Sequence, residues 1–126
     1  MNFVFEMPPT ANKIWRVRKG FLPYKSKEYE DWKTAASWEI QYQRHGKQFS
    51  EPVKVSIAAK RNHASSDLDN RIKPILDALQ DGGAVVNDNL VHRIEAWWIP
   101  NGEPGKVFVT VEALPKAVEA SLRRAA

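Results

Sequence analysis

The apolar residues of this chain switch repeatedly between a two-residue and a helical period, which restricts it to helices laid on a sheet. Val53, Val55 and Ile57 alternate with Lys54 and Ser56, the two-residue repeat of a strand with one buried face. Leu68, Ile72, Ile75, Leu76 and Leu79 follow at intervals of 4, 3, 1 and 3, a single stripe on a helix ended by Asp81-Gly82-Gly83. Alternation then returns, predicting a short strand at Ala84–Val86, a longer one at Leu90–Ile99 and another at Lys106–Ala113, with a turn at Pro100–Gly105. Upstream, Phe3, Phe5 and Met7 alternate as far as Pro8-Pro9. Ser26 is placed to cap a second helix that runs to about His45, with Gly46 as its stop and Tyr29, Trp32, Ala36 and Ile40 facing inward. These elements predict an α+β fold, a two-layer sandwich of two main helices on a mixed sheet of four or five strands. With 126 residues, one domain over 1–126 is expected, and 115–126 form a short terminal helix or a frayed tail.

The chain has no cysteine, so disulfides, thiolate metal sites and thiol nucleophiles are excluded. Its apolar runs are too short to span a membrane, and Met1–Thr10 lacks the pattern of a signal peptide. A cytoplasmic protein with no membrane partner is expected. The formal net charge of +4 is modest, but its placement is uneven. Six basic residues and no acid lie between Lys13 and Lys27, while five aspartates lie between Asp67 and Asp88. A basic arm beside an acidic cluster suits phosphates held by one and a metal held by the other. A solvated loop and a polar helix face would give the same pattern.

Asp67 and Asp69 share a face only if the segment between them is extended. That predicts a helix starting after them, with Asn70 as its cap, Pro74 in the first turn and Lys73 beside the carboxylates. Such a corner can hold a hard cation and a phosphate together. Asp88 lies in the Asn87-Asp88-Asn89 turn at the mouth of a strand, where the backbone can bring it to the same place. Three carboxylates without cysteine favour Mg²⁺, or Mn²⁺ in substitution, over zinc. Each aspartate alone is equally well read as a cap, a turn former or a solvated side chain.

Taken together, Asp67-Leu68-Asp69-Asn70, Lys73, Leu76-Asp77-Ala78-Leu79 and Asp88 resemble the RusA family of Holliday junction resolvases. Asp67 and Asp69 are two apart, Lys73 lies four beyond Asp69, and Asp88 lies nineteen beyond it. Pro8-Pro9-Thr10-Ala11-Asn12 followed by Trp15-Arg16 resembles the start of that family, so the likeness runs from Phe3 to about Glu112. Asn87 stands where the family often has a second acid. The resemblance implies a homodimeric, Mg²⁺-dependent endonuclease that nicks branched DNA in recombination or repair. It implies Asp67, Asp69 and Asp88 as carboxylates of the metal site and Lys73 as its basic partner, all four catalytic. The metal would activate water while Lys73 stabilises charge developing on the phosphate. Asp77 either orients Lys73 or merely pairs with it on the surface.

Asn12, Arg16, Lys19, Lys25 and Lys27 are the expected phosphate contacts on four-way junction DNA, with Trp15 or Tyr24 available to stack on an unpaired base. The other reading is a core tryptophan and solvent-facing lysines. His45, His63 and His92 are scattered and form no ligand pattern. Trp97-Trp98 must face both sides of its strand, so one of them is available to a dimer interface or to packing under the second helix of the chain, and the Tyr29–Ile40 helix is the other surface a dimer could use. Two other functions remain open: a catalytically silent nucleic-acid-binding protein, and a metal-dependent nuclease acting on unbranched DNA or RNA.

Overall fold

The computed structural model describes residues 1–9, 15–16, 24–61 and 67–115, with backbone alone at 15–16 and 24–25. Four strands form the main sheet: β1 (Asn2–Glu6), β4 (Val53–Ala59), β5 (Val91–Trp98) and β6 (Lys106–Ala113). Their spatial order is β1-β6-β4-β5, with β6 antiparallel to both β1 and β4, and β4 parallel to β5. The fold is therefore α+β with a mixed sheet. A parallel pair cannot be joined by a tight turn. The crossover between β4 and β5 is α2 (Asp69–Asp81), followed by a short 3₁₀ turn at Asp88–Leu90. A small antiparallel pair, β2 (Trp15–Arg16) with β3 (Tyr24–Lys25), lies within the basic segment between Pro9 and Ser26.

The alternation in sequence is the alternation in burial. Phe3 and Phe5, Val53, Val55, Ile57 and Ala59, and Val107, Val109 and Val111 line the covered face of the sheet. The helix α1 (Lys27–Gln43) lays Tyr29, Trp32, Ala36 and Ile40 on that face, and α2 adds Ile75, Ala78 and Leu79. Ser26 caps α1 as expected, its hydroxyl accepting from the Tyr29 N–H at 3.2 Å. The chain turns out of α1 through left-handed His45 (φ 50°) and Gly46 (φ 76°). Gln43 completes the free edge of β1, its side-chain amide accepting from the Val4 N–H and donating to the Val4 carbonyl, each at 2.8 Å. Among the described residues, no helix is long and apolar enough to cross a membrane.

Residues 84–86 do not add a strand to the sheet as the alternation suggested. Ala84 and Val85 are buried, but Val85 makes only an isolated parallel bridge to Phe49. The reason lies in how α2 ends. Gly83 (φ 83°) turns the chain so that its N–H reaches the Gln80 carbonyl and the Ala84 N–H the Leu79 carbonyl. The closure takes up the Ala84 N–H, and the Ala84 carbonyl and Val86 N–H pair only with Phe49 rather than with a strand of the sheet.

Gly82, at the end of α2, sits directly against α1. A Cβ there would lie 2.7 Å from Cβ and Cγ2 of Ile40 and 2.9 Å from the Ser37 carbonyl oxygen. Its backbone angles are ordinary, so steric contact alone demands glycine. Gly82→Ala is expected to cost about 1–3 kcal/mol through overpacking, seen as a melting midpoint lower by about 5–15 °C. An unchanged midpoint would show that α1 can shift away freely.

Candidate active site

The aspartates and the lysine sit on and beside the first half of α2, but its start differs from expectation. Leu68 is already helical (φ −70°, ψ −45°) and Asp69 is the first helical residue. Asp67 and Asp69 therefore flank a helical residue, and the extended link expected between them is absent. Asn70 does not cap the helix. Its side chain donates to Asp67 Oδ2 at 3.2 Å, and its own N–H donates to Asp69 Oδ1 at 3.0 Å. The first turn closes instead through the Arg71 N–H and the Leu68 carbonyl, 3.0 Å apart. Pro74 is thus the sixth helical residue, buried in the second turn, and Lys73 is the fifth. Neither lies in the first turn as predicted.

Arg71 is the residue that reading the sequence missed. It is buried, and its guanidinium donates to the Pro8 carbonyl at the end of the first strand segment. Burial lowers its pKa while the nearby Asp67 charge works the other way. Arg71 thereby fastens the start of α2, with Asp67 and Asp69, to the Pro8-Pro9 corner. A charged residue within an amphipathic stripe carries no mark of burial in sequence.

Asp88 does reach the helix. Residues 82–88 double back along α2, and the Asp88 N–H donates to Gln80 Oε1 at 2.8 Å. Asn87 caps the 3₁₀ turn, its side chain accepting from the Asn89 N–H at 2.9 Å. Lys73 Nζ lies 3.1 Å from Asp88 Oδ2 and 3.0 Å from Asp77 Oδ1. These two hydrogen bonds, Asp77 first, hold the Lys73 pKa above its ordinary value, so the ammonium is the form present at neutral pH. Asp69, Lys73, Asp77 and Asp81 follow at four-residue steps down one side of α2. The last of them pairs with Lys33 of α1 at 3.1 Å.

Asp67 and Asp69 are exposed and Asp88 is partly so. Their donors are carboxylate oxygens, the chemistry that suits a hard divalent cation. Among the described residues, no three acids or histidines are gathered as a ready-made metal cluster. Lys73 instead takes one oxygen of Asp88. Of the expected DNA contacts, Lys27 is an exposed residue paired with Asp31 at 3.6 Å. Asn12 and Lys19 lie outside the described residues, as do the side chains of Arg16 and Lys25.

The family model described as Endodeoxyribonuclease RusA matches residues 6–112. The chain belongs to the endodeoxyribonuclease RusA family. A RusA relative, "Crossover junction endodeoxyribonuclease RusA" of Aquifex aeolicus (strain VF5), is 27% identical over 108 residues, covering 85% of this chain and 83% of its own. The family match takes in both helices, β4, β5, nearly all of β6 and every candidate aspartate, but only the last residue of β1. As a RusA family member the chain is a nuclease, a hydrolase of DNA phosphodiesters.

Proposed function

We propose that this protein resolves four-way DNA junctions by paired, Mg²⁺-dependent phosphodiester hydrolysis, in DNA recombination or repair. The observation that carries the reading is the contact between Lys73 and Asp88. It brings a carboxylate fifteen residues away in sequence onto the helix whose start carries Asp67 and Asp69. Asp67, Asp69 and Asp88 would hold the cation, and the cation when bound supplies an activated water and charge neutralisation at the phosphate. Lys73, an exposed ammonium on the same side of α2, steadies negative charge that grows on the phosphate oxygens. The basic segment from Lys13 to Lys27 supplies phosphate contacts that set the orientation of the duplex arms.

The test is incubation of the protein with an end-labelled four-way junction, and separately with its linear arms, in Mg²⁺. Symmetric incision of the junction with the arms intact is expected. Equal cutting of the arms would make it a nuclease of unbranched DNA. Binding without cutting in either Mg²⁺ or Mn²⁺ would make it a junction-binding protein only.

Two symmetric incisions need two sites, and one chain offers one. A homodimer supplies the second, its two-fold axis matching that of the junction. The uncovered face of the sheet suits this. Val4, Phe108, Ala58 and Trp97 are neighbours in register across all four strands, and three of them stand out at 41, 40 and 44% exposure. Trp98 points the other way, partly buried against the core. The charges beside this stripe pair with each other, Lys54 with Glu95 and Glu112, and Arg93 with Glu95. A face with an apolar centre and balanced charges suits a second copy better than a phosphate backbone. Light scattering is expected to give about twice the 14.4 kDa chain mass, and Trp97→Glu to return the mass of one chain. A dimer unaffected by Trp97→Glu would place the interface elsewhere.

A further inference from the structure

The hydrogen bonds around Lys73 are unequal in their anchoring. Asp77 binds the lysine through Oδ1, and its other oxygen, Oδ2, faces the phenol O–H of Tyr29 at 3.5 Å. Tyr29 is 1% exposed, its ring lies 5.9 Å from that of Trp32, and its backbone N–H is held by the Ser26 cap. Asp77 is therefore tied to the core of the protein. Asp88, by contrast, belongs to a three-residue turn with no buried residue. Lys73 itself is a flexible stem with a side chain 70% exposed.

An ammonium and a divalent cation compete for the same carboxylate oxygens. With Asp88 as a metal ligand, as proposed above, the cation gains that carboxylate fully only when Lys73 releases it. A lysine released into water would no longer be near the phosphate, whereas one retained on Asp77 stays within a side-chain movement of its starting place. We propose that Asp77, anchored by Tyr29, is the positioning residue that takes Lys73 off Asp88 when the metal binds and holds it facing the DNA phosphate. Asp77 and Tyr29 act on the reaction through Lys73. The side chain of Asp77 is only 23% exposed, consistent with a fixed holder for a mobile lysine.

A simpler account is that Asp77 only adds negative charge that attracts any cation. A mutant cycle separates the two, read by Mn²⁺ binding to the intact, DNA-free protein with electron paramagnetic resonance. Lys73→Ala is expected to tighten Mn²⁺ binding and Asp77→Asn to weaken it, each by about fivefold, the scale of one partly exposed ion pair. In the Lys73→Ala background, Asp77→Asn should then change little, because its effect passes through the lysine. Tyr29→Phe, which alters no charge at neutral pH, should weaken Mn²⁺ binding in the same direction by less. In cleavage at saturating Mg²⁺, Asp77→Asn should lower kcat with KM unchanged, and Asp77→Glu should recover part of the loss. Equal weakening by Asp77→Asn with and without Lys73 would overturn the proposal, leaving Asp77 as a bulk charge. A different result, Mn²⁺ binding absent in the wild type or unchanged in Asp88→Asn, would instead remove Asp88 from the metal site and the proposal with it.

Discussion

Asp67→Asn, Asp69→Asn and Asp88→Asn will each lower junction cleavage on the order of a hundredfold or more while junction binding is kept. Losing a group that merely supports a metal ligand costs about 10–100-fold, so losing a ligand carboxylate should cost at least the upper end of that range. The fold should survive because asparagine has the shape of aspartate and keeps an acceptor oxygen. At Asp67 that oxygen can still receive the Asn70 amide, and at Asp69 the Asn70 N–H. At Asp88 the bond from its backbone N–H to Gln80 is untouched. Binding should hold or tighten, since negative charge facing phosphates has been removed. Gel shift and single-turnover cleavage on the same junction measure both. Full activity in Asp88→Asn would show that the third ligand is another residue and that the Lys73 contact is structural.

Lys73→Ala is the second large effect, a fall in the cleavage step of about 10²–10³ with affinity for the junction nearly unchanged. That magnitude is what removing one donor to a developing oxyanion costs. One ammonium among many basic groups contributes little to binding, and Lys73 is half engaged by Asp77 and Asp88 in any case. Neutralising Arg16 with Lys19 should do the reverse. Binding weakens and its log–log salt slope falls by about 0.9 for each phosphate that is no longer neutralised, while the rate at saturation holds. A Lys73→Ala protein that fails to bind, beside an arm variant that binds normally, would exchange the two roles.

The elements themselves were legible in the sequence because each is specified by neighbours. The alternation of Val53, Val55 and Ile57, the stripe from Ile72 to Leu79 and the Ser26 cap are all local, and all appear in the structure. The limits of α2 were less legible. Asn70 could cap only a helix that began after it; Leu68 is already helical, and the Asn70 amide is left to donate to Asp67. The apparent strand at 84–86 failed for a related reason. Gly83, at positive φ, allowed the helix end to close on Ala84, and buried apolar residues look alike in a strand or a packed turn.

By itself, then, the sequence determined which residues could form helices and strands, which of their faces are apolar, and that Lys73 and Asp77 share one side of a helix, while only the structure added Asp69 to that side. It also carried enough of the family's composite pattern to point to a nuclease. Only the tertiary structure decided what meets that side. The order β1-β6-β4-β5 inserts the last strand between the first and the fourth, a pairing no local pattern encodes. Tyr29 reaches Asp77 across 48 residues, and Arg71 reaches Pro8 across 63. Such contacts depend on packing α1 and α2 on one sheet, because a side chain's partner at long range is set by burial of the faces that carry it. The basis for Lys73 having two carboxylate partners of unequal firmness is of this kind: its neighbour on the helix is local, but what anchors that neighbour comes from the core.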